Sequence, residues 1–177
     1  LNEDEAVRDR IYFSLAKIEL LRAKNGSDEA LGNALEYLSE LSENARITYA
    51  ADDLEALLIK ARQAPKKNPT AAGIFSIIPG GGFLYCERYK DALTTFLLNA
   101  GLMFAAYEAW DDGNEALAGV VAFVETGFYS GNIYGSISAA HKHNRAQTAR
   151  ILGDRFILSS GVTPDSKGLE LLLTYQF

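Results

Sequence analysis

The sequence is poor in the residues that most often build chemical sites. It has one cysteine, two histidines and one methionine, and its 17 Lys and Arg are outnumbered by 23 Asp and Glu, giving a net charge of −6. The lone cysteine, Cys86, excludes an intramolecular disulfide and a cysteine-based metal cluster within one chain. The sequence also lacks a basic stripe that would neutralise phosphates, which argues against nucleic acid as a partner.

Catalytic and metal-binding sets are missing as well. The sequence shows no Ser-His-Asp or Cys-His arrangement, and His141 and His143 lie only two residues apart, so a metal there would need ligands from elsewhere. The run Pro79-Gly80-Gly81-Gly82 lacks the Gly-Lys-Ser/Thr ending of a phosphate-binding loop. We therefore expect a non-catalytic protein with no cofactor and no metal.

Apolar residues make up 48% of the chain, but they are unevenly distributed. Charged residues dominate the first third, and apolar and glycine residues dominate the middle of the chain. This division predicts four parts: a soluble acidic helical domain (1–63), a linker (64–70), a membrane helical hairpin domain (71–145) and a tail with two short strands (146–177). Because the chain begins at Leu1, we expect that a preceding segment, such as a signal peptide or a disordered start, has been removed.

The first domain shows the periodicity of two or three amphipathic helices. An apolar stripe at three- and four-residue spacing ends near Asn25-Gly26, and Ser27 and Ser42 are typical N-cap residues for the helices that follow. The stripe of the first helix consists of Val7, Ile11, Leu15, Ile18 and Leu21.

Two apolar segments in the middle of the chain, residues 91–110 and 116–140, are each long enough to span a bilayer, which takes roughly 20 residues. The polar residues 111–115 separate them, which predicts a helical hairpin. A shorter apolar stretch, residues 71–78, precedes the turn Pro79-Gly80-Gly81-Gly82 and predicts a half-helix. The predicted fold class is thus mainly α and membrane-associated: an amphipathic helical domain, then a half-helix and a two-helix apolar hairpin.

Small residues recur at every fourth position of the second apolar segment. We call Gly127, Gly131, Gly135 and Ala139 the small-residue ridge. Residues four apart lie on nearly the same face of a helix, so another backbone can approach this face closely, as helices do in lipid. A soluble helix packed tightly against a neighbour is the alternative, since interior glycines need a packing reason in either solvent.

Three polar residues interrupt the hairpin: Asn99, Glu125 and Asn132. Folding the segments back at residue 113 places Asn99 about level with Glu125. A structural interpretation is one hydrogen bond between Asn99 and a partly protonated Glu125 that sets the register of the hairpin. A functional interpretation is a polar or proton-handling site that faces other subunits.

Amphipathic and charged residues flank the hairpin and are typical of interface anchors. His141, Lys142 and Arg145 are expected to lie beyond the end of the second helix. Basic residues at both ends of the hairpin and an acidic connecting turn predict that both ends face the cytoplasm. The full set of predicted anchors is Tyr85, Tyr89, Trp110, His141, Lys142 and Arg145.

The tail points to a different membrane. Residues 155–160 and 168–177 are predicted strands around a turn at residues 163–166, and the second strand alternates and ends in Phe177 like the last strand of an outer-membrane barrel. One or two strands cannot close a barrel, so they would pair with another protein, with copies of this chain, or with each other in water. The choice between inner and outer membrane stays open.

The run from Ile77 to Tyr85 and the step Arg88-Tyr89-Lys90-Asp91-Ala92 resemble a poorly characterised family of bacterial two-transmembrane-helix hairpin domains. That family has a Pro-Gly-x-Gly-x-x-Tyr turn before an apolar hairpin, and residues 127–135 and 140–145 resemble its closing part. The resemblance covers about residues 70–145 and implies no activity. It also implies a tetratricopeptide-like helical region in residues 1–63, although no 34-residue repeat is evident.

These features together predict a non-catalytic integral membrane subunit of a bacterial cell-envelope assembly. Its expected partners are membrane lipid, other envelope subunits or further copies of itself. One alternative is an oligomeric pore or transport component whose path is lined by Glu125, Asn99 and Asn132. A third interpretation is a soluble helical interaction protein with the hairpin as its core.

Overall fold

The computed structural model describes residues 3–153, 156–162 and 169–175, with backbone only for the last two ranges. The described chain is mainly helical. It divides into two compact units: Leu1–Pro65 together with Arg145–Phe177, and Lys66–Asn144. The predicted boundary at residue 145 therefore falls inside a helix, and the residues after it group with the first unit.

Four helices form the first part of unit one. Their bounds are α1 (Glu3–Lys24), α2 (Asp28–Ser39), α3 (Glu43–Thr48) and α4 (Ala51–Gln63). The two predicted N-caps are confirmed, since the Ser27 hydroxyl accepts from the N–H of Ala30 and the Ser42 hydroxyl from the N–H of Ala45. Each cap satisfies one of the donors that the first turn of a helix leaves unpaired.

The predicted apolar stripe of α1 does not face the core. Val7, Ile11 and Ile18 are 52%, 54% and 47% exposed. The buried face instead carries small residues with Leu20; it packs against α2 and belongs to the same core cluster as residues of α4. The prediction was wrong because β-branched residues outweigh alanine in a count of apolar residues, whereas two helices approach most closely over small side chains. The buried apolar residues of α1 are Ala16, Leu20 and Ala23.

A buried carboxylate ties α1 to the start of α3. Asp9 accepts hydrogen bonds from the Ser42 N–H at 3.2 Å and from the Ser42 hydroxyl at 2.5 Å. These bonds hold the pKa of Asp9 below its ordinary value, because they stabilise the ionised form. Ser42 thus caps α3 while its own polar groups fix α1.

Unit two contains α5 (Pro69–Phe75), α6 (Gly81–Tyr85), α7 (Tyr89–Asp111) and the start of α8 (Glu115–Gly153). The half-helix predicted at residues 71–78 corresponds to α5, which begins at Pro69 and ends at Phe75, and a second short helix, α6, follows the turn. The second predicted segment is longer than expected, since α8 runs 39 residues. His141, Lys142 and Arg145 therefore lie within α8 and not beyond its end. Polar side chains can occupy an exposed face of a helix without interrupting its backbone hydrogen bonds.

Two strands follow α8: β1 (Phe156–Val162) and β2 (Leu169–Tyr175). Their backbones pair antiparallel, with Phe156 opposite Tyr175 and Val162 opposite Leu169. The predicted turn at residues 163–166 and the terminal Phe177 lie outside the described residues.

Among the described residues, one helix is long and apolar enough to cross a membrane, which is α7. The sequence predicts two such segments, residues 91–110 and 116–140. The apolar part of α8 falls short because Glu125, Asn132 and several glycine and serine residues lower its mean hydropathy.

Candidate functional site

The turn between α5 and α6 is built on three glycines that touch backbone on several sides. Gly80 has φ +81°, a left-handed conformation that favours glycine, and a β-carbon there would overlap the carbonyl oxygen of Ala92. A β-carbon at Gly81 would overlap the carbonyl oxygen of Phe75. One at Gly82 would collide with α5 and α8 together. Each glycine therefore allows a contact that no other residue permits.

Asn132 of α8 holds this turn through both ends of its amide. Its Nδ2 donates to the carbonyl of Ser76 at 2.8 Å, and its Oδ1 accepts from the N–H of Gly80 at 3.1 Å. Asn132 is 3% exposed, so these bonds satisfy buried backbone groups that water does not reach. One turn away, the Tyr129 hydroxyl donates to the carbonyl of Ile77 at 2.8 Å.

A second asparagine of α8 makes the same kind of contact with the segment before α5. The Lys67 N–H donates to Asn144 Oδ1 at 2.8 Å, and Asn144 Nδ2 donates to the Lys67 carbonyl at 2.9 Å. The adjacent Asn68 caps α5 by accepting from Thr70 and Ala71. Its own N–H donates to the Tyr85 hydroxyl at 3.1 Å, which gives this predicted anchor a structural role. These hydrogen bonds therefore fix Lys67 and Asn68, the part of the predicted linker next to α5.

The small-residue ridge has two halves in the structure. Ala139 is buried in a cluster with Ala72 and Cys86, and a β-carbon at Gly135 would press on the ring of Phe83. Nothing lies within 4 Å of such an atom at Gly127 or Gly131. Gly135 and Ala139 therefore pack within unit two, whereas Gly127 and Gly131 form an open surface on the described part of the chain.

Asn99 and Glu125 are buried on α7 and α8, at 1% and 7% exposure. Asn99 Nδ2 donates to the Thr95 carbonyl of its own helix at 2.7 Å. The expected hydrogen bond between the two side chains is not present, because the Asn99 amide turns back on α7. Asn99 Oδ1 and both carboxylate oxygens of Glu125 are buried without a hydrogen-bond partner among the described residues.

Glu125 lines an open cavity of about 560 Å³ between the α5–α6 turn and the two long helices. The three hydroxyls in its wall all donate to backbone carbonyls: Thr126 to Ala122, Ser130 to Thr126, and Tyr129 to Ile77. The cavity therefore offers acceptors and apolar surface. Its other lining residues are Ile77, Ile78, Pro79 and Met103.

The remaining predicted anchors differ in their surroundings. Tyr89 and Trp110 are 65% and 64% exposed at opposite ends of α7. His141 lines a second cavity of about 670 Å³ beside α5. Lys142 and Arg145 are exposed on α8. Two of the six predicted anchors thus lie at the two ends of α7, the candidate spanning helix among the described residues.

Ionic contacts fix the end of α6. Lys67 pairs with Glu87 at 2.8 Å, which raises the pKa of the lysine and lowers the pKa of the carboxyl. Burial raises the pKa of the Cys86 thiol, whose Sγ lies 3.8 Å from the Ser136 carbonyl. Both the burial of Cys86 and the raised pKa disfavour the thiolate form.

Sequence reasoning missed Asn144, Asn68 and Ser76 as parts of this arrangement. Asn68 precedes Pro69 at the start of an apolar stretch. This pattern is typical of a helix N-cap followed by proline at the first helical position, so the sequence alone could have identified it. The partners of Asn144 and Asn132 lie 77 and 52 residues away, and no local signal identifies them. Within the described residues, no group of three or more His, Cys, Asp or Glu is placed to hold a metal ion.

The site is thus a glycine turn whose buried backbone groups are satisfied by α8. Beside it lies a cavity lined by Glu125, whose carboxylate has no hydrogen-bond partner in the described part of the chain. No protein-family model, curated protein or solved structure matches the chain.

Proposed function

We propose that unit two is embedded in a membrane of the bacterial cell envelope and that the chain is a non-catalytic subunit of an assembly there. One observation carries the proposal: only 11% of the apolar window in α7 is buried within the chain. The core helix of a soluble protein has a similar composition but is mostly buried. An exposed helix of this kind needs lipid or a partner around it.

The exposed apolar side chains continue onto α8, where Phe123 is 81% exposed. Of the polar residues that lower the mean hydropathy of this helix, Glu125, Asn132 and Ser136 are buried. Thr126 and Ser130 are exposed, and their hydroxyls donate to carbonyls of the same helix. Lipid would therefore contact an apolar surface on both long helices. The large apolar side chains that are exposed on them include Leu93, Phe96, Leu97, Phe104, Trp110, Leu117, Val120, Phe123, Phe128 and Tyr134.

The lengths of the helices agree with this proposal. A helix of 23 residues, such as α7, is about 35 Å long, and the hydrocarbon core of a bilayer is about 30 Å thick. The turn after α7 is short, because α8 begins at Glu115. The two helices therefore form a hairpin of spanning length, which also agrees with the resemblance to two-helix membrane domains.

The open half of the small-residue ridge is the surface proposed to pack against another subunit. Gly127 and Gly131 leave backbone accessible along one face of α8, and close backbone approach drives helix association in lipid. The first unit would then hold a soluble partner near the membrane. A second copy or another envelope protein fits the ridge equally well.

Replacing Gly131 by leucine is expected to abolish the assembly, because the added side chain would separate the two backbones. The measurement is the native mass of the detergent-solubilised protein from the membrane fraction. Ala122→Leu is the control: Ala122 is exposed on the same helix, and nine residues, or two and a half turns, place it on the opposite side from Gly131.

A fixed oligomer or complex that is lost in Gly131→Leu and kept in Ala122→Leu would support the proposal. An unchanged mass in Gly131→Leu would rule out the ridge as the packing surface. A monomer recovered from the aqueous fraction would contradict membrane embedding and favour the soluble interpretation.

The buried carboxylate of Glu125 favours a second candidate, a pore or transport component. An ionisable group with no partner inside a membrane domain often belongs to an ion or proton path. Glu125→Gln is expected to change conductance across reconstituted vesicles at least tenfold while the native mass stays constant. Thr94→Val is the control, because Thr94 is exposed on α7 and does not line the cavity that contains Glu125. Wild-type vesicles without conductance would exclude this candidate.

A further inference from the structure

The cavity beside the α5–α6 turn has the size and composition of a small-molecule site. Its volume of about 560 Å³ lies within the range of about 300–1,000 Å³ that is usual for ligand pockets. The apolar side chains of its wall are Ile77, Ile78, Pro79 and Met103. Glu125 is the one charged residue that lines it in the described part of the chain. A mostly apolar wall with one charged group is typical of sites that bind and orient an amphiphilic molecule.

The carboxylate of Glu125 lacks the hydrogen-bond donor that a buried acid normally has. The residue is 7% exposed, and neither of its oxygens accepts a hydrogen bond among the described residues. The amide that was expected to supply a donor, that of Asn99, donates to the Thr95 carbonyl instead. Because an unpaired buried charge is costly, a carboxyl group in this position either takes up a proton or binds a donor that the chain itself does not supply.

The polar side chains around Glu125 favour a ligand that donates hydrogen bonds. Thr126, Tyr129 and Ser130 also line the cavity. Each of their hydroxyls already donates its proton to a backbone carbonyl, so their oxygens have only lone pairs left, which accept hydrogen bonds. No lysine, arginine or histidine is among the described residues of the wall. The wall therefore disfavours an anionic ligand and matches a cation that carries N–H groups.

We propose that this cavity binds a protonated amine with an apolar tail, with the ammonium group on the Glu125 carboxylate and the tail against Ile78 and Met103. An ammonium group supplies both the positive charge and the N–H donors that the carboxylate lacks. Such charge-assisted hydrogen bonds are about twice as strong as neutral ones. A metal ion fits less well, because the apolar side chains of the wall supply no oxygen ligands.

The proposal goes beyond the assembly role and needs no path across the membrane. It concerns the same carboxylate as the pore candidate, but it predicts equilibrium binding, which is measured without a current. The chemical class has two sources, a free amphiphilic amine and the headgroup of phosphatidylethanolamine. Both carry an ammonium group on an apolar body.

The test measures saturable binding of radiolabelled decylamine, which is protonated at neutral pH, to the full chain in phosphatidylcholine nanodiscs. Empty nanodiscs give the uptake by lipid alone. Glu125→Gln keeps the size of the side chain and removes its charge. It is expected to weaken binding about tenfold or more, because a hydrogen bond to a charged group contributes about one to two powers of ten in affinity.

Glu115→Gln is the matched control and is expected to bind decylamine like the wild type. It is the same substitution on the same helix, at an exposed position that does not line the cavity. Met103→Trp keeps the carboxylate and fills the apolar part of the cavity, so this variant is also expected to lose binding. Circular dichroism checks that each variant folds, and Met103→Trp decides the result if Glu125→Gln does not fold.

Unlabelled competitors and a change of lipid define the chemistry. Decanol has no charge, decyl sulfate is negative, and decyltrimethylammonium has a positive charge without an N–H group, so each is expected to compete less well than decylamine. Replacing part of the lipid by phosphatidylethanolamine distinguishes the two sources. A fall in decylamine binding would identify the lipid headgroup as the occupant, and unchanged binding would identify a free amine.

Four results would overturn the proposal: no saturable binding to the wild type, equal binding by folded Glu125→Gln, full binding by Met103→Trp, or equal competition by decyl sulfate. The first would mean that the carboxyl group takes up a proton and no ligand. Native mass tests the proposed assembly, and conductance tests the pore candidate. Neither measurement uses decylamine, so the failure of one proposal is distinguishable from the failure of the others.

Discussion

Gly82→Ala is expected to unfold unit two or to destabilise it by about 3 kcal/mol, the upper end of the usual cost of overpacking. The new β-carbon would collide with the Ala72 carbonyl oxygen, the Ser76 hydroxyl and the Ser136 β-carbon. The first and third of these atoms cannot rotate away, so α5 or α8 would have to move. Chemical denaturation in detergent micelles, followed by helix content, measures the loss.

The matched control is Gly119→Ala on α8, where nothing lies within 4 Å of the added atom. Alanine favours the helix over glycine, so this variant is expected to gain up to about 1 kcal/mol. The sign of the effect should therefore differ between two identical substitutions. Equal stability of the two variants would show that α5, α6 and α8 do not pack as closely as described.

Asn132→Leu is expected to have the second-largest effect. Leucine has the same number of side-chain heavy atoms and the same branching as asparagine, but it would leave the Gly80 N–H and the Ser76 carbonyl without partners. Each unsatisfied buried group costs about 1–3 kcal/mol, so the expected loss is about 2–6 kcal/mol. The same denaturation measurement reports it.

Two further substitutions make this result specific. Asn132→Asp keeps the acceptor for Gly80 and loses the donor to Ser76, and it is expected to be less stable than wild type. Ser130→Ala removes an exposed hydroxyl that bonds only within its own helix, and it is expected to be close to neutral. A stable Asn132→Leu protein would mean that water or a rearranged turn satisfies both backbone groups.

Local chemistry made some of this fold predictable. Ser27 and Ser42 follow breaks in apolar periodicity, and a cap needs only its own side chain and the next three residues. The turn at Gly80 follows from residue type alone, because proline and consecutive glycines rarely continue a helix. Short-range signals of this kind need no knowledge of the tertiary fold.

Contacts between distant segments were not predictable in the same way. Asn132 was predicted as a residue of a polar path, and its hydrogen bonds to the turn join positions more than 50 residues apart. Which face of α1 is buried also depends on α2, whose alanine and leucine side chains lie in the same core cluster as those of α1. The periodicity of the apolar residues predicted the helix correctly but indicated the wrong face of α1 as the buried one.

The hydrogen bonds from α8 to the α5–α6 turn constrain the order in which unit two can fold during synthesis. Asn132 leaves the ribosome 52 residues after Gly80, which takes about 3–10 s at 5–20 residues per second. During that interval the turn lacks the side-chain amide that forms hydrogen bonds with its backbone. The interval between the synthesis of Lys67 and that of its partner Asn144 is longer still. The nascent chain therefore carries the turn for several seconds before the side chain that completes its hydrogen bonds has been synthesised.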